Sequence, residues 1–217
     1  MQENVETPLT KKKYRWKRCR KICPKKPDDE LKKEKIEQLK SVIELWGKQL
    51  INIYFADEVG FSLTPSIPYS WSKIGEQTGI PTKKDLAYNV FGLMSPEQNL
   101  VSYLTEKSID SQFIIQSLDD FAEKITKLTV VIMDNAPWHK SKYVQAKIDQ
   151  WEQKGLFILY LPTYSPHLNK IETLWRFIKY QWLKVEDYAK LATLKQAIRN
   201  ILKKFGTEYQ IQFTMNY

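Results

Sequence analysis

The 217-residue sequence has only two cysteines, two histidines and seven glycines, and no apolar run approaching the roughly 18 residues that a bilayer-spanning helix needs. Both cysteines, Cys19 and Cys23, fall in CRKIC, and only His139 and His167 could join them. That is too few ligands for a zinc module, so reduced thiols in a reducing compartment are expected. The first residues, MQENVETPLTKKK, lack the apolar core of a signal peptide. There is no internal repeat and no low-complexity tract. These absences point to a soluble, cytoplasmic protein with no membrane partner. A chain of this length with 42% hydrophobic residues can fill one full core.

Acidic residues are missing from positions 11–26, KKKYRWKRCRKICPKK, which hold ten Lys or Arg. Taking those ten from the 34 basic residues of the chain leaves 24 against 25 acidic ones, so the net charge of +9 belongs to an arm and the rest is neutral. Lys11, Lys12, Lys13, Arg15, Lys17, Arg18, Arg20 and Lys21, with Tyr14 and Trp16 among them, suit a polyanion. The cations neutralise phosphates and release counterions, and the aromatic rings can stack or pack. A solvated tail is the alternative.

Beyond this arm or linker (1–28), Leu31, Ile36, Leu39, Ile43 and Trp46 fall mostly at helical spacing, which predicts a linker helix within 29–48. The remainder, 49–217, reads as one domain. INIYFA, FSLT, LAYNVFGLM and NLVSYLT predict four strands of an antiparallel meander, with Gly, Pro and Asn in the gaps. The character then changes. DSQFIIQSLDDFAEKI, SKYVQAKIDQWEQK and NKIETLWRFIKYQWL read as helices, and LTVVIMD and LFILYLP as buried strands between them. A last helix is expected at about 192–205. Short apolar runs alternating with helices mark parallel strands with crossovers. The whole order is that of an α/β ribonuclease-H-like domain, a mixed sheet flanked by helices.

Three acids stand out in that order: Asp57 at the end of the first strand, Asp134 at the end of LTVVIMD, and Glu172 in the first turn of a helix beginning near Asn169. Residues at the carboxyl ends of adjacent strands converge on one crevice, and a following helix can aim a side chain into it. Carboxylates meeting there repel one another unless a hard divalent cation is present, and Mg²⁺ suits oxygen ligands and phosphate. Each acid also has a plainer role. Asp57 or Asp134 can close a turn, and Asn169 with Glu172 has the spacing of a capping box. Glu58 would face away or support the site, and His139 would support it or simply open the next helix. Asn135 and Asn169 can orient carboxylates or hold a phosphate. On the last of these helices Glu172, Trp175, Arg176 and Lys179 share a flank open to DNA, while Ile171, Leu174, Ile178 and Trp182 form the packing stripe.

The wording around the acids resembles a family. FADEVGF, VVIMDNAPWH and LYLPTYSPHLNKIETLWRFIK are similar to the three catalytic-core motifs of mariner-superfamily transposases, in the branch found in bacterial insertion sequences. The resemblance implies a DDE endonuclease with Asp57, Asp134 and Glu172 as catalytic and metal-holding triad. It implies Mg²⁺ or Mn²⁺ as cofactor, two ions in all, and cutting of DNA at transposon ends followed by strand transfer into a target. It further implies a homodimer and association with the nucleoid in a bacterium, and since the chain opens at what resembles the linker after the family's DNA-reading domains, it would be the second product of a split reading frame, a truncated relic, or the partner of a separately encoded helix-turn-helix protein. Two other readings stay open: an inactive remnant that only binds DNA or dimerises, and another ribonuclease-H-like nuclease or integrase.

Overall fold

The computed structural model describes residues 29–64, 87–136, 139, 141–163, 165–215 and 217. The basic arm, its DNA-contact candidates and both cysteines lie outside them. Helix α1 (Asp29–Gly47) sends Leu39 into the core, with Ile36, Val42, Ile43 and Trp46 packed around it. Strand β1 (Asn52–Ser62) follows, then β2 (Ala87–Met94) and β3 (Leu100–Thr105). Helix α2 (Ser111–Lys124) starts at Asp110, whose side chain accepts the Phe113 N–H at 2.9 Å. Next come β4 (Thr129–Met133), the short helices α3 (Lys142–Gln145) and α4 (Ile148–Gln153), and β5 (Leu156–Tyr160). A 3₁₀ turn at Pro166–Leu168 leads into α5 (Ile171–Phe177), which loosens into a π turn at Ile178–Trp182. After a 3₁₀ turn at Val185–Ala189, α6 (Leu191–Lys203) is the last helix.

The sheet runs β3-β2-β1-β4-β5. The first three strands are antiparallel neighbours, and β4 and β5 lie parallel to β1. Because strand side chains alternate between faces, the sheet divides the core in two. Ile53, Phe55, Val59 and Phe61 of β1 join Val130 and Ile132 of β4 against α1, α5 and α6. Ala56, Val131 and Met133 face the other way, against Ile114, Leu118 and Phe121 of α2 and the fully buried Trp151 of α4. Asp119 of α2 fixes that second layer. Its carboxylate takes the Trp151 indole N–H at 2.8 Å and the Lys147 ammonium at 2.9 Å.

Several sequence expectations need correcting. FSLT is not a separate strand: Phe61 and Ser62 end β1, and only Leu63 and Thr64 bend away. Asp57 therefore sits inside β1, although it lies beyond the stretch that β4 pairs. Gly60 does not end the strand. It stands opposite Asn89, whose side-chain Oδ1 would lie 2.9 Å from an added Cβ, so the strand runs on through this glycine with a neighbouring side chain over it rather than turning there. The helix expected over 141–154 is broken at Ala146 and Lys147. β5 is an edge strand, only Leu156 of it fully covered. Trp175 belongs to the core at 3% exposure, not to an open flank.

Candidate active site

The β1–β4 pairing runs in parallel from Asn52 opposite Thr129 to Ala56 opposite Met133, so Asp57 and Asp134 are the next residues on neighbouring strands. They and Glu172 line one crevice of about 430 Å³, together with Asn135, Ala136, Asn169, Pro162, Thr163 and Ser165. Alternation splits the adjacent acids of β1. Asp57 shares the α5 face with Phe55 and Val59, while Glu58 turns to the other face and meets His139.

His139 is fully buried and clamped. Its Nε2 lies 2.6 Å from Glu58 Oε1 and its Nδ1 lies 2.7 Å from Asp134 Oδ1, while its backbone carbonyl accepts the Tyr160 hydroxyl at 2.8 Å. Burial works against a charged ring here, but the bonds and charges of Asp134 and Glu58 outweigh it and push the pKa up to about 10. The ring is thus an imidazolium donating to both acids. Burial alone would raise Asp134; the bond from His139 and the Ala136 N–H at 3.1 Å bring it below its ordinary value.

Asp57 stands under the opposite pressure. Burial, then the negative charges of Glu172, Glu58 and Asp134, push its carboxyl up to about 8, even though the Glu58 backbone bonds to it. Its Oδ2 accepts the Trp175 indole N–H at 3.1 Å. Glu172 is raised by burial, partly offset by the nearby charges of Lys179 and Arg176. Lys179 is half-buried and its ammonium sits 5.7 Å from the centre of the Phe61 ring. Burial lowers its pKa, opposed by Glu172 and Asp57. Arg176 is exposed one turn beyond Glu172.

The capping-box role for Asn169 and Glu172 does not hold. The backbone N–H of Asn169 is already given to the Pro166 carbonyl at 3.0 Å, and α5 begins after Lys170 with no side-chain cap. The Asn169 amide instead donates to the Ala56 carbonyl of β1 at 2.9 Å. This ties the loop before α5 to the strand carrying Asp57. Asn169 lines the crevice, and its buried Oδ1 has no hydrogen-bond partner among the described residues. Two contributors were not anticipated from the sequence. The Trp175 donor is signalled only by its place three residues after Glu172, and Gly92, opposite Asp57 on β2, only as a lone glycine inside an otherwise bulky strand.

The profile of the DDE superfamily endonuclease family matches residues 52–195, more than half of the sequence. The chain belongs to this family. It is 28% identical over 127 residues to an uncharacterized 39 kDa protein of insertion element IS630 from Shigella sonnei. The match takes in 57% of this chain and only 36% of that protein's length. In fold it is similar to the Mos1 strand transfer complex, at TM-score 0.56 and 12% identity over 90% of this chain and 62% of that one. It is also similar to the catalytic domain of Mos1 mariner transposase, at TM-score 0.51 and 11% identity over 84% and 85%. Mos1 paired-end complexes with Mn and with Mg match at TM-scores of 0.54 and 0.55, with 12% identity in both cases, over 89% and 87% of this chain and 61% and 59% of theirs. The DDE endonuclease domain has the ribonuclease-H-like fold, a mixed five-stranded sheet flanked by helices.

A divalent ion suits the donors of this crevice. Carboxylates line the crevice, burial and then neighbouring negative charge disfavour the ionised form of Asp57 in a way that a cation would relieve, and the buried Asn169 Oδ1 can accept from an ion's bound water. Among the described residues no three Asp, Glu, His or Cys side chains converge on one point. Mg²⁺ commonly takes only one or two carboxylates and keeps several waters, so a crevice of this kind is still suitable.

Proposed function

We propose that this domain is the catalytic part of a transposase, cutting DNA at transposon ends and joining the cut strand to a target site. The observation that carries the proposal is the register of β1 and β4, which brings Asp57 beside Asp134 in a crevice that Glu172 also lines. Asp57, Asp134 and Glu172 would hold Mg²⁺ or Mn²⁺, and the Mos1 complexes with those metals support that choice. Two such ions supply activation of a water or 3′-hydroxyl on one side of a phosphorus and stabilisation of the leaving oxygen on the other.

The protein's own groups do the rest. His139 holds Asp134 in one rotamer and uses up Glu58, so Glu58 is not the third acid of the crevice. Asn169 fastens the loop before α5 to β1, and Asn135, on the crevice wall, is suited to a phosphate oxygen. Arg176 and Lys179 carry positive charge near Glu172, Arg176 is exposed and suited to the DNA backbone, and the basic arm is proposed as a further source of phosphate contacts. A homodimer, and a separately encoded helix-turn-helix protein to read the ends, complete the proposal; the Mos1 paired-end complexes support the first by analogy.

The test is metal-dependent nicking of a duplex bearing the inverted repeats that flank the coding region, with and without the neighbouring gene product. Asp57→Asn, Asp134→Asn and Glu172→Gln should each reduce nicking to background and leave DNA binding intact. Binding without any wild-type cleavage at either metal would instead identify an inactive DNA-binding remnant.

A further inference from the structure

Gly92 stands directly opposite Asp57 in the β1–β2 pairing, where α5 packs over the sheet. A Cβ at residue 92 would lie 2.7 Å from Cη2 and 2.8 Å from Cζ2 of the Trp175 indole, and 3.1 Å from Ile171 Cδ1. The indole thus fills the space that a side chain at that point of β2 would occupy. It is almost wholly buried, and its one polar atom ends on Asp57 Oδ2 at 3.1 Å. Burial of an indole needs a partner for its N–H, but many backbone carbonyls would serve. Here the partner is a carboxylate of the crevice, and Glu172 lies on the same helix one turn earlier.

We infer that Trp175, seated on Gly92, is a positioning residue that locks Asp57 in one rotamer and sets the spacing between the strand carrying Asp57 and the helix carrying Glu172. The inference rests on the proposal that these acids hold a divalent ion. A ligand carboxylate free to rotate loses ordering when it binds metal, and a neighbouring donor removes that cost beforehand. The two-ring side chain is essential to the arrangement, because the atoms nearest residue 92 belong to the outer ring that phenylalanine lacks.

The experiment is Mn²⁺ titration of the full chain by calorimetry and by electron paramagnetic resonance, with DNA cleavage measured alongside. Trp175→Phe should weaken Mn²⁺ binding by about tenfold or more, the range typical for losing the outer partner of a metal ligand. It should lower kcat while leaving KM for DNA unchanged. Replacing Trp175 with benzothienylalanine keeps the two-ring shape and puts sulfur in place of N–H, so it should show the same loss with the core intact. Gly92→Ala should weaken binding in the wild type but add little in the Trp175→Phe background, giving a coupled rather than additive cycle. Wild-type affinity in the benzothienylalanine protein, or simple additivity of the two substitutions, would overturn the inference. No Mn²⁺ binding by the wild type would overturn the metal proposal and this inference with it.

Discussion

At Asp57, burial and three neighbouring carboxylates act in the same direction, and the consequence appears in stability as well as in chemistry. The folded protein keeps a proton on this carboxyl up to about pH 8, whereas the unfolded chain releases it near the ordinary value of 3.8. The stabilisation from Asp57 is therefore fully present below about pH 3.8 and is lost as pH rises through 8. Asp57→Asn keeps an oxygen for the Trp175 N–H and removes the titration. In the absence of metal it should raise stability at pH 8, by up to about 5 kcal/mol, and change little at pH 4. Thermal unfolding in EDTA at the two pH values measures this. Added Mn²⁺ should stabilise the wild type and not the variant. Equal unfolding midpoints for wild type and variant at pH 8 would mean that neighbouring charge does not strain this carboxyl.

The elements show how far a sequence can carry such a site. Strand β4 was legible because TVVIM is apolar on both faces and buried throughout, and the acid that follows had to emerge at its end. The alternation of Phe55, Asp57, Val59 and Phe61 was equally present, but Gly60 reads as a turn until Asn89 is seen across the ladder. The break between α3 and α4 has neither Gly nor Pro to announce it, and it arises where Lys147 and Trp151 both reach Asp119. Asn169 and Glu172 satisfy a local pattern that tertiary structure overrides, since the 3₁₀ turn before α5 already uses the Asn169 N–H. A direct contrast follows. Asn169→Ala removes the donor to the buried Ala56 carbonyl and should cost about 1–3 kcal/mol. Glu172 makes no side-chain hydrogen bond to a described residue, so Glu172→Gln should stay within about 0.5 kcal/mol. Denaturant unfolding of both variants decides the point. A loss at Glu172→Gln as large as at Asn169→Ala would restore the capping role.

On the scale of the whole molecule, the charges are separated into two functions. The body beyond the arm is close to neutral and places three of its acids, Asp57, Asp134 and Glu172, around the crevice, while ten cations are concentrated in residues 11–26. A crevice of carboxylates repels the phosphodiester it is proposed to cut, so attraction has to come from elsewhere: from bound divalent ions at short range and from basic residues at longer range. Arg176 and Lys179 are too few to supply the long-range part, and Lys179 is already engaged electrostatically with Glu172 and Asp57. We therefore expect the arm to be the main source of non-specific DNA affinity. Deleting residues 11–26 should weaken binding to specific and random duplexes alike. The slope of log K against log salt should become shallower by about 0.9 for each phosphate contact removed. Five contacts would change the slope by roughly 4.5, well beyond the error of a binding series from 50 to 200 mM salt. Nicking at saturating DNA should be retained, because the crevice is built from β1, β4 and the loop and helix around α5. An unchanged slope would make the arm a solvated tail. The affinity would then have to come from the Arg176 side of the crevice, where Arg176→Ala should show the salt dependence instead.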